Sequence, residues 1–172
     1  MLINLSDVLT SEGKAETADV ILEMTAFRSR LGNFPIIEKE PVHFLFTNNG
    51  KGKAKITGSV KLVFQTKCDR CLDEVPLSLA LNFERDILAP DTEAEDPEEE
   101  DILRGYQFDA EEFINSEILI NWPLKILCRE DCKGVCPICG RNRNKGSCGC
   151  DTFVPDPRLA MIQNIFNANK EV

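Results

Sequence analysis

The chain is poor in the residues that hydrolytic and group-transfer chemistry draws on. It has one histidine, His43, one tyrosine and one tryptophan. No Ser-His-Asp grouping and no phosphate-cradling glycine loop accompany them, so hydrolases and phosphoryl-transfer enzymes find little support. His43 falls in a strand pattern and reads as an ordinary surface or core side chain. No apolar run reaches the roughly 18 residues that a bilayer span needs. Met1 to Asp7 carries no basic leader. The expectation is a cytoplasmic protein, not an enzyme, with neither a membrane nor a small-molecule substrate among its partners.

Cysteine is abundant by contrast. Eight cysteines occur in 172 residues, and six of them lie between Cys128 and Cys150. In a reducing compartment structural disulfides are rare, so metal ligation or thiol chemistry is the first reading, and a disulfide-stapled secreted domain is the alternative. Cys136-Pro137-Ile138-Cys139-Gly140 has the form of a zinc knuckle, whose turn lets both sulfurs reach one ion while the glycine accepts a left-handed backbone. Cys148-Gly149-Cys150 supplies a second close pair. Cys136, Cys139, Cys148 and Cys150 are therefore expected to hold one structural zinc ion, with no coordination position left open.

Cys68-Asp69-Arg70-Cys71 poses a separate question. A thioredoxin-like motif should open a helix that lowers the thiol pKa, whereas here a strand pattern follows, and Asp69, Asp73 and Glu74 disfavour a thiolate. A thiol-disulfide oxidoreductase using Cys68 and Cys71 is thus the weaker reading. The preferred one is a hairpin-tip pair that joins Cys128 and Cys132 around a second ion, pinning the tail to the β-rich half. Two half-buried thiols at a turn are the plain alternative.

The formal charge of -9 is localised. Residues 91–101 hold eight acidic and no basic side chains, leaving the remainder at a net charge of -1. Such a run reads as a solvated, self-repelling linker, or more sharply as an acidic decoy competing with nucleic acid.

The rest reads as α+β. Lys55 to Lys67 and Val75 to Phe83 alternate with period two and predict two antiparallel strands. Val42, Phe44 and Phe46 mark another, and Gly32 to Pro35 a turn. A meander or small barrel is expected over 1–90, an acidic linker over 91–107, and a helix, the zinc module and a terminal helix over 108–172. Asp109 caps the first helix with Glu112 three residues on, while Phe108 and Phe113 hold the two staple positions. Asp156, Pro157, Leu159, Ile162 and Phe166 predict the terminal helix, packed on the metal module.

Taken together, Gly58 within its strand, Cys68-Asp69-Arg70-Cys71-Leu72, the acidic stretch, Cys132 through Gly140, Cys148-Gly149-Cys150 and Asp156-Pro157-Arg158-Leu159 resemble the YceD family of large ribosomal RNA subunit accumulation proteins. The resemblance implies a cytoplasmic, non-enzymatic ribosome biogenesis factor. Its implied partner is large-subunit ribosomal RNA or a pre-ribosomal particle, with a protein as the other class of partner. Arg143 stands where similar sequences more often carry an apolar residue. Arg141, Arg143 and Lys145 bring three charges into one loop, with Asn142 and Asn144 between them, and are the candidate RNA contact. The competing roles for that loop are to balance the negative thiolate site beneath it, or to serve a generic zinc-ribbon interaction module.

Overall fold

The computed structural model describes residues 1–50, 52–90, 92 and 102–150. In chain order these form β1 (Leu2–Asn4), α1 (Ser6–Thr10), β2 (Ala15–Val20), β3 (Ala26–Ser29), β4 (Gly32–Lys39), β5 (Val42–Gly50), β6 (Lys53–Lys67), β7 (Glu74–Leu88), β8 (Leu103–Arg104), β9 (Gln107–Asp109) and α2 (Ala110–Ile120). The fold is α+β, dominated by strands. The terminal helix expected around Leu159 lies outside the described residues, as does most of the acidic run.

Two compact units partition the chain. One joins Met1–Lys67 with Glu74–Ile126, and the other joins Cys68–Asp73 with Leu127–Val172. This division differs from the one drawn on the sequence at 90 and 108. Helix α2 belongs to the first unit because Phe113, Ile114 and Ile118 are buried in its core. The far end of the stretch expected as linker also joins that unit, where β8 and β9 form a hairpin that β1 extends.

The first unit is organised on β6. Its alternating pattern buries Ala54, Ile56, Val60, Leu62, Phe64 and Thr66 on one face, as period two requires. All fifteen of its residues pair with β7 in unbroken register, from Lys53↔Leu88 to Lys67↔Glu74. The opposite edge is shared: β5 pairs with Lys53 to Ser59, and β4 with Leu62 to Phe64. Strands β2 and β3 add outside β5 and β4, so the pairing branches on β6 instead of following a simple meander. Gly32 to Pro35, expected as a turn, begins β4; the turn falls at Arg30 and Leu31, where Gly32, at φ 148, re-enters the strand.

Gly58 sits between Phe44 on β5 and Phe83 on β7. A Cβ there would lie 2.3 Å from the His43 carbonyl oxygen and 2.7 Å from the Phe83 ring. The missing side chain makes room for that ring, which packs 5.4 Å from Phe44 and 5.1 Å from Phe113, centroid to centroid. Phe108 and Phe113 also meet, at 5.2 Å, as the staple predicts, and Asp109 accepts from the backbone N–H groups of Glu111 and Glu112. Glu112 turns away from the cap to pair with Arg104 at 2.7 Å. Trp122 is part of the same packing, 4.6 Å from Phe34 and 5.2 Å from Phe64.

Candidate metal centres

Among its described residues the second unit is built from turns rather than regular elements, and the backbone there is bent to converge sulfurs. In the connection between β6 and β7, the Cys68 N–H donates to the Asp73 carbonyl at 2.8 Å, and the Leu72 N–H donates back to the Cys68 carbonyl at 2.9 Å. This tight turn gathers Cys68 and Cys71 at one end, both buried. In the other Cys-x-x-Cys the same bond recurs, from the Gly140 N–H to the Cys136 carbonyl at 2.8 Å, and the Cys136 N–H donates to the Arg141 carbonyl at 2.8 Å. Gly140 is left-handed at φ 71, which a glycine accepts without steric cost. Cys128 and Cys132 approach each other through a turn in which the Cys132 N–H donates to the Arg129 carbonyl at 3.2 Å.

The result is two four-cysteine groups. The sulfurs of Cys68, Cys71, Cys128 and Cys132 lie within 4.8 Å of one another, and so do those of Cys136, Cys139, Cys148 and Cys150. All eight are free thiols. Across the first group Cys68 Sγ is 3.8 Å from Cys132 Sγ, and Cys71 Sγ is 3.6 Å from Cys128 Sγ. A tetrahedral ion with metal–sulfur bonds of about 2.3 Å sets its ligand sulfurs about 3.8 Å apart. These spacings meet that requirement, and each group could hold a metal ion.

The electrostatics point the same way. Burial resists ionisation of Cys68, but backbone N–H groups at Cys128, Cys71 and Arg70 outweigh it and bring the thiol down to about 6. Cys136 is likewise lowered to about 6, by the backbone N–H groups of Cys139 and Ile138. At the other extreme, desolvation of its sulfur among the neighbouring thiols and hydrogen bonding with Cys132 push Cys128, itself an exposed residue, up to about 12. Hydrogen bonding with Cys139 and Cys148, reinforced by burial, does the same to Cys150, also to about 12. Each group thus accepts a first negative charge and refuses the last. A soft cation among the sulfurs removes the conflict, since its field lets all four ionise.

Residues 56–166 match the family described as large ribosomal RNA subunit accumulation protein YceD, over more than half of the chain. The chain belongs to the YceD family. The YceD match takes in Gly58, the β6–β7 hairpin from Ile56 onward and every cysteine of both groups. No curated protein and no solved structure matches the chain. Among the described residues no helix is long and apolar enough to cross a membrane.

The loop singled out for RNA runs between the ligands of the second group. Arg141, Arg143 and Lys145 are exposed there, while Asn142 and Asn144 are half-buried. Lys145 Nζ lies 3.2 Å from a carboxylate oxygen of Asp73, and Asn142 donates to the other oxygen at 2.8 Å. The Lys145 ammonium holds the Asp73 carboxyl below its usual range, against the opposing effect of burial. Both asparagines therefore act within the unit. Four residues that the sequence reading passed over or assigned elsewhere complete the surroundings: Arg70, whose guanidinium donates to the Cys132 carbonyl at 2.9 Å; Gly134, whose Cα faces the Arg70 carbonyl; Asp73; and Asn144. For Arg70, Asp73 and Asn144 the available signal was polarity beside the ligands, and for Gly134 a glycine between Cys132 and Cys136.

Proposed function

We propose that this YceD-family protein is a non-enzymatic ribosome biogenesis factor that promotes accumulation or maturation of large-subunit ribosomal RNA, built around structural zinc. The observation that carries the reading is the conjunction of the family match with two closed four-thiol groups. Cys136, Cys139, Cys148 and Cys150 are the ligands of one zinc ion, and Cys68, Cys71, Cys128 and Cys132 those of a second. Thiolate ligands select zinc over hard cations, and four of them leave no open position for catalysis. Against an oxidoreductase, Cys68 and Cys71 are buried and their turn leads into a strand, so no helix N-terminus activates either thiol.

Arg141, Arg143 and Lys145 form the proposed RNA-facing edge, with Arg141 and Arg143 the members not committed to Asp73. The protein acts in the cytoplasm, and the acidic run at 91–101 serves as a charged connection, the far end of the stretch expected as linker to 107 belonging to the β8–β9 hairpin. The deciding experiment recovers tagged protein from growing cells. Enrichment of large-subunit precursor RNA is expected, and recovery of protein partners with no RNA dependence overturns the reading.

That second outcome has support of its own. Leu72, just after the first Cys-x-x-Cys, and Ile138, within the second, are 63% and 56% exposed. Apolar side chains held outward on a rigid turn suit a protein surface better than a phosphate backbone. Four thiolates around each divalent ion also outweigh its charge, which offsets the local excess of six basic over four acidic side chains in residues 68–73 and 127–150.

A further inference from the structure

Asn144 lies between the ligands of the second cysteine group, yet its side chain reaches into the first. Its Nδ2 is 3.2 Å from the sulfur of Cys132. Its Oδ1 accepts from the Lys133 backbone N–H at 2.8 Å and from Arg129 Nη2 at 2.9 Å. A backbone N–H and a guanidinium can only donate, so they fix which end of the amide is oxygen and leave the NH₂ facing the thiol. The residue is itself held from behind, its own N–H donating to Asn142 Oδ1 at 2.9 Å. Asn142 in turn donates to Asp73, two residues past Cys71, at 2.8 Å. Two further backbone bonds, Arg143 N–H to the Gly134 carbonyl at 2.9 Å and Val135 N–H to the Arg70 carbonyl at 3.0 Å, tie the same strip of chain together.

We infer that Asn144 is a positioning residue for the metal held by Cys68, Cys71, Cys128 and Cys132, and that it makes retention of this ion depend on loading of the other group. The inference rests on the metal centres proposed above. An N–H donor to a ligand sulfur stabilises the thiolate and fixes its direction, and partners of this kind commonly tune metal affinity by about 10–100-fold. The donor here sits on a loop whose two ends, Cys139 and Cys148, are ligands of the second ion. Binding that ion closes the loop and holds Asn144 in place; losing it frees the loop and withdraws the N–H from Cys132. The coupling is reciprocal, so the first ion also strengthens the second.

Zinc release from the full chain into an excess of chelator tests this. The phase belonging to the first group is identified as the one that persists when Cys148 and Cys150 are both replaced by serine. That phase is expected to run about tenfold faster or more in the double serine protein than in the wild type, and likewise in Asn144→Ala, which starts with both ions bound. Asn144→Asp keeps an oxygen for Lys133 and Arg129 while removing the N–H, and is expected to release fast as well. Cobalt substitution gives an independent reading, since the sulfur-to-metal absorption of the first group should shift in both Asn144 variants. A wild type that carries two ions, with the first group's ion released at the wild-type rate in the double serine protein and in both Asn144 variants, overturns the coupling alone. A folded, reduced wild type that carries no metal overturns the coupling and the metal centres together.

Discussion

Leu72 occupies in the first Cys-x-x-Cys turn the station that Gly140 occupies in the second: each directly follows the second cysteine, each N–H closes the turn onto the first cysteine's carbonyl, and their φ angles are 63° and 71°. Among the described residues Leu72 is the one non-glycine at positive φ. A left-handed conformation costs a side-chain-bearing residue about 1–2 kcal/mol. Since Leu72 is mostly exposed, little burial offsets that cost. Leu72→Gly is expected to stabilise the second unit by up to about 1 kcal/mol, reduced by the greater chain entropy of glycine when unfolded. Chemical denaturation of the metal-loaded protein measures it. A clear loss of stability would mean that the leucine side chain makes contacts outweighing its strain. Unchanged or raised stability accompanied by weaker partner binding would assign Leu72 to recognition.

Metal content provides the second prediction. Wild-type protein purified without chelator is expected to carry two zinc ions, and Cys68→Ser and Cys136→Ser should each lower the count, by different ions. Among the described residues of the second unit the buried apolar positions are the cysteines Cys68, Cys71, Cys132 and Cys136, so loss of metal should unfold that stretch. The first unit has its own core, from Leu5 to Ile118, and its thermal transition should survive. One ion per chain with Cys68 and Cys71 readily alkylated would remove the first centre from the account.

Gly58 supplies a packing test. Gly58→Ala places a methyl group within 2.3 Å of a backbone oxygen that cannot rotate away, and within 2.7 Å of the Phe83 ring. Overpacking of this kind costs about 1–3 kcal/mol. The urea midpoint should fall accordingly with the slope unchanged. A midpoint equal to that of the wild type would show that the sheet relaxes around the site at no cost.

The RNA edge is best tested with two charges instead of three. Reversing Lys145 sets a second carboxylate against Asp73 and confounds binding with stability. Arg141→Glu with Arg143→Glu avoids this, and exposed substitutions of the kind shift stability by only about 0.5 kcal/mol each. Zinc content should hold while association with precursor particles falls. The wild type should also lose its particle as salt rises, more steeply than the variant does, because phosphate contacts release counterions. Equal sedimentation of the two proteins at low and high salt would reduce the loop to a solvated face and move the search to Lys53, Lys55 and Lys61 on β6.

Much of this architecture could be read from local pattern. The alternation from Lys55 to Lys67 required a half-buried strand because every second residue is apolar, and Asp109 with its flanking phenylalanines marked the start of α2. The cysteine spacings suggested one quartet directly and offered Cys68 and Cys71 with Cys128 and Cys132 as a candidate second, and the sulfurs of each four lie within 4.8 Å of one another. What stayed hidden depends on distant partners. Nothing in Ile36 or Leu62 says that β4 reaches past β5 to the far half of β6, and the five residues of β8 and β9 are too short to carry a period. Asn142 and Asn144 read as free hydrogen-bonding groups among basic neighbours. Their real partners, Asp73 and Cys132, are fixed only when the two ligand sets fold onto each other within the second unit.

The pairing of Leu2 with Asp109 has a temporal meaning. During synthesis the residues of β1 emerge long before those of β9 exist, and at about 5–20 residues per second the wait is roughly 5–20 s. Strands β5, β6 and β7 can assemble as successive hairpins in that interval, whereas β1 has no partner to join. Cys71 and Cys68 wait over a shorter span but to a later point, until Cys128 and Cys132 have been translated, respectively 57 and 64 residues further on. Both units are thereby completed from the carboxy-terminal side, and a nascent chain halted near residue 100 would expose an unpaired first strand and two unligated thiols to whatever surveys the ribosome exit.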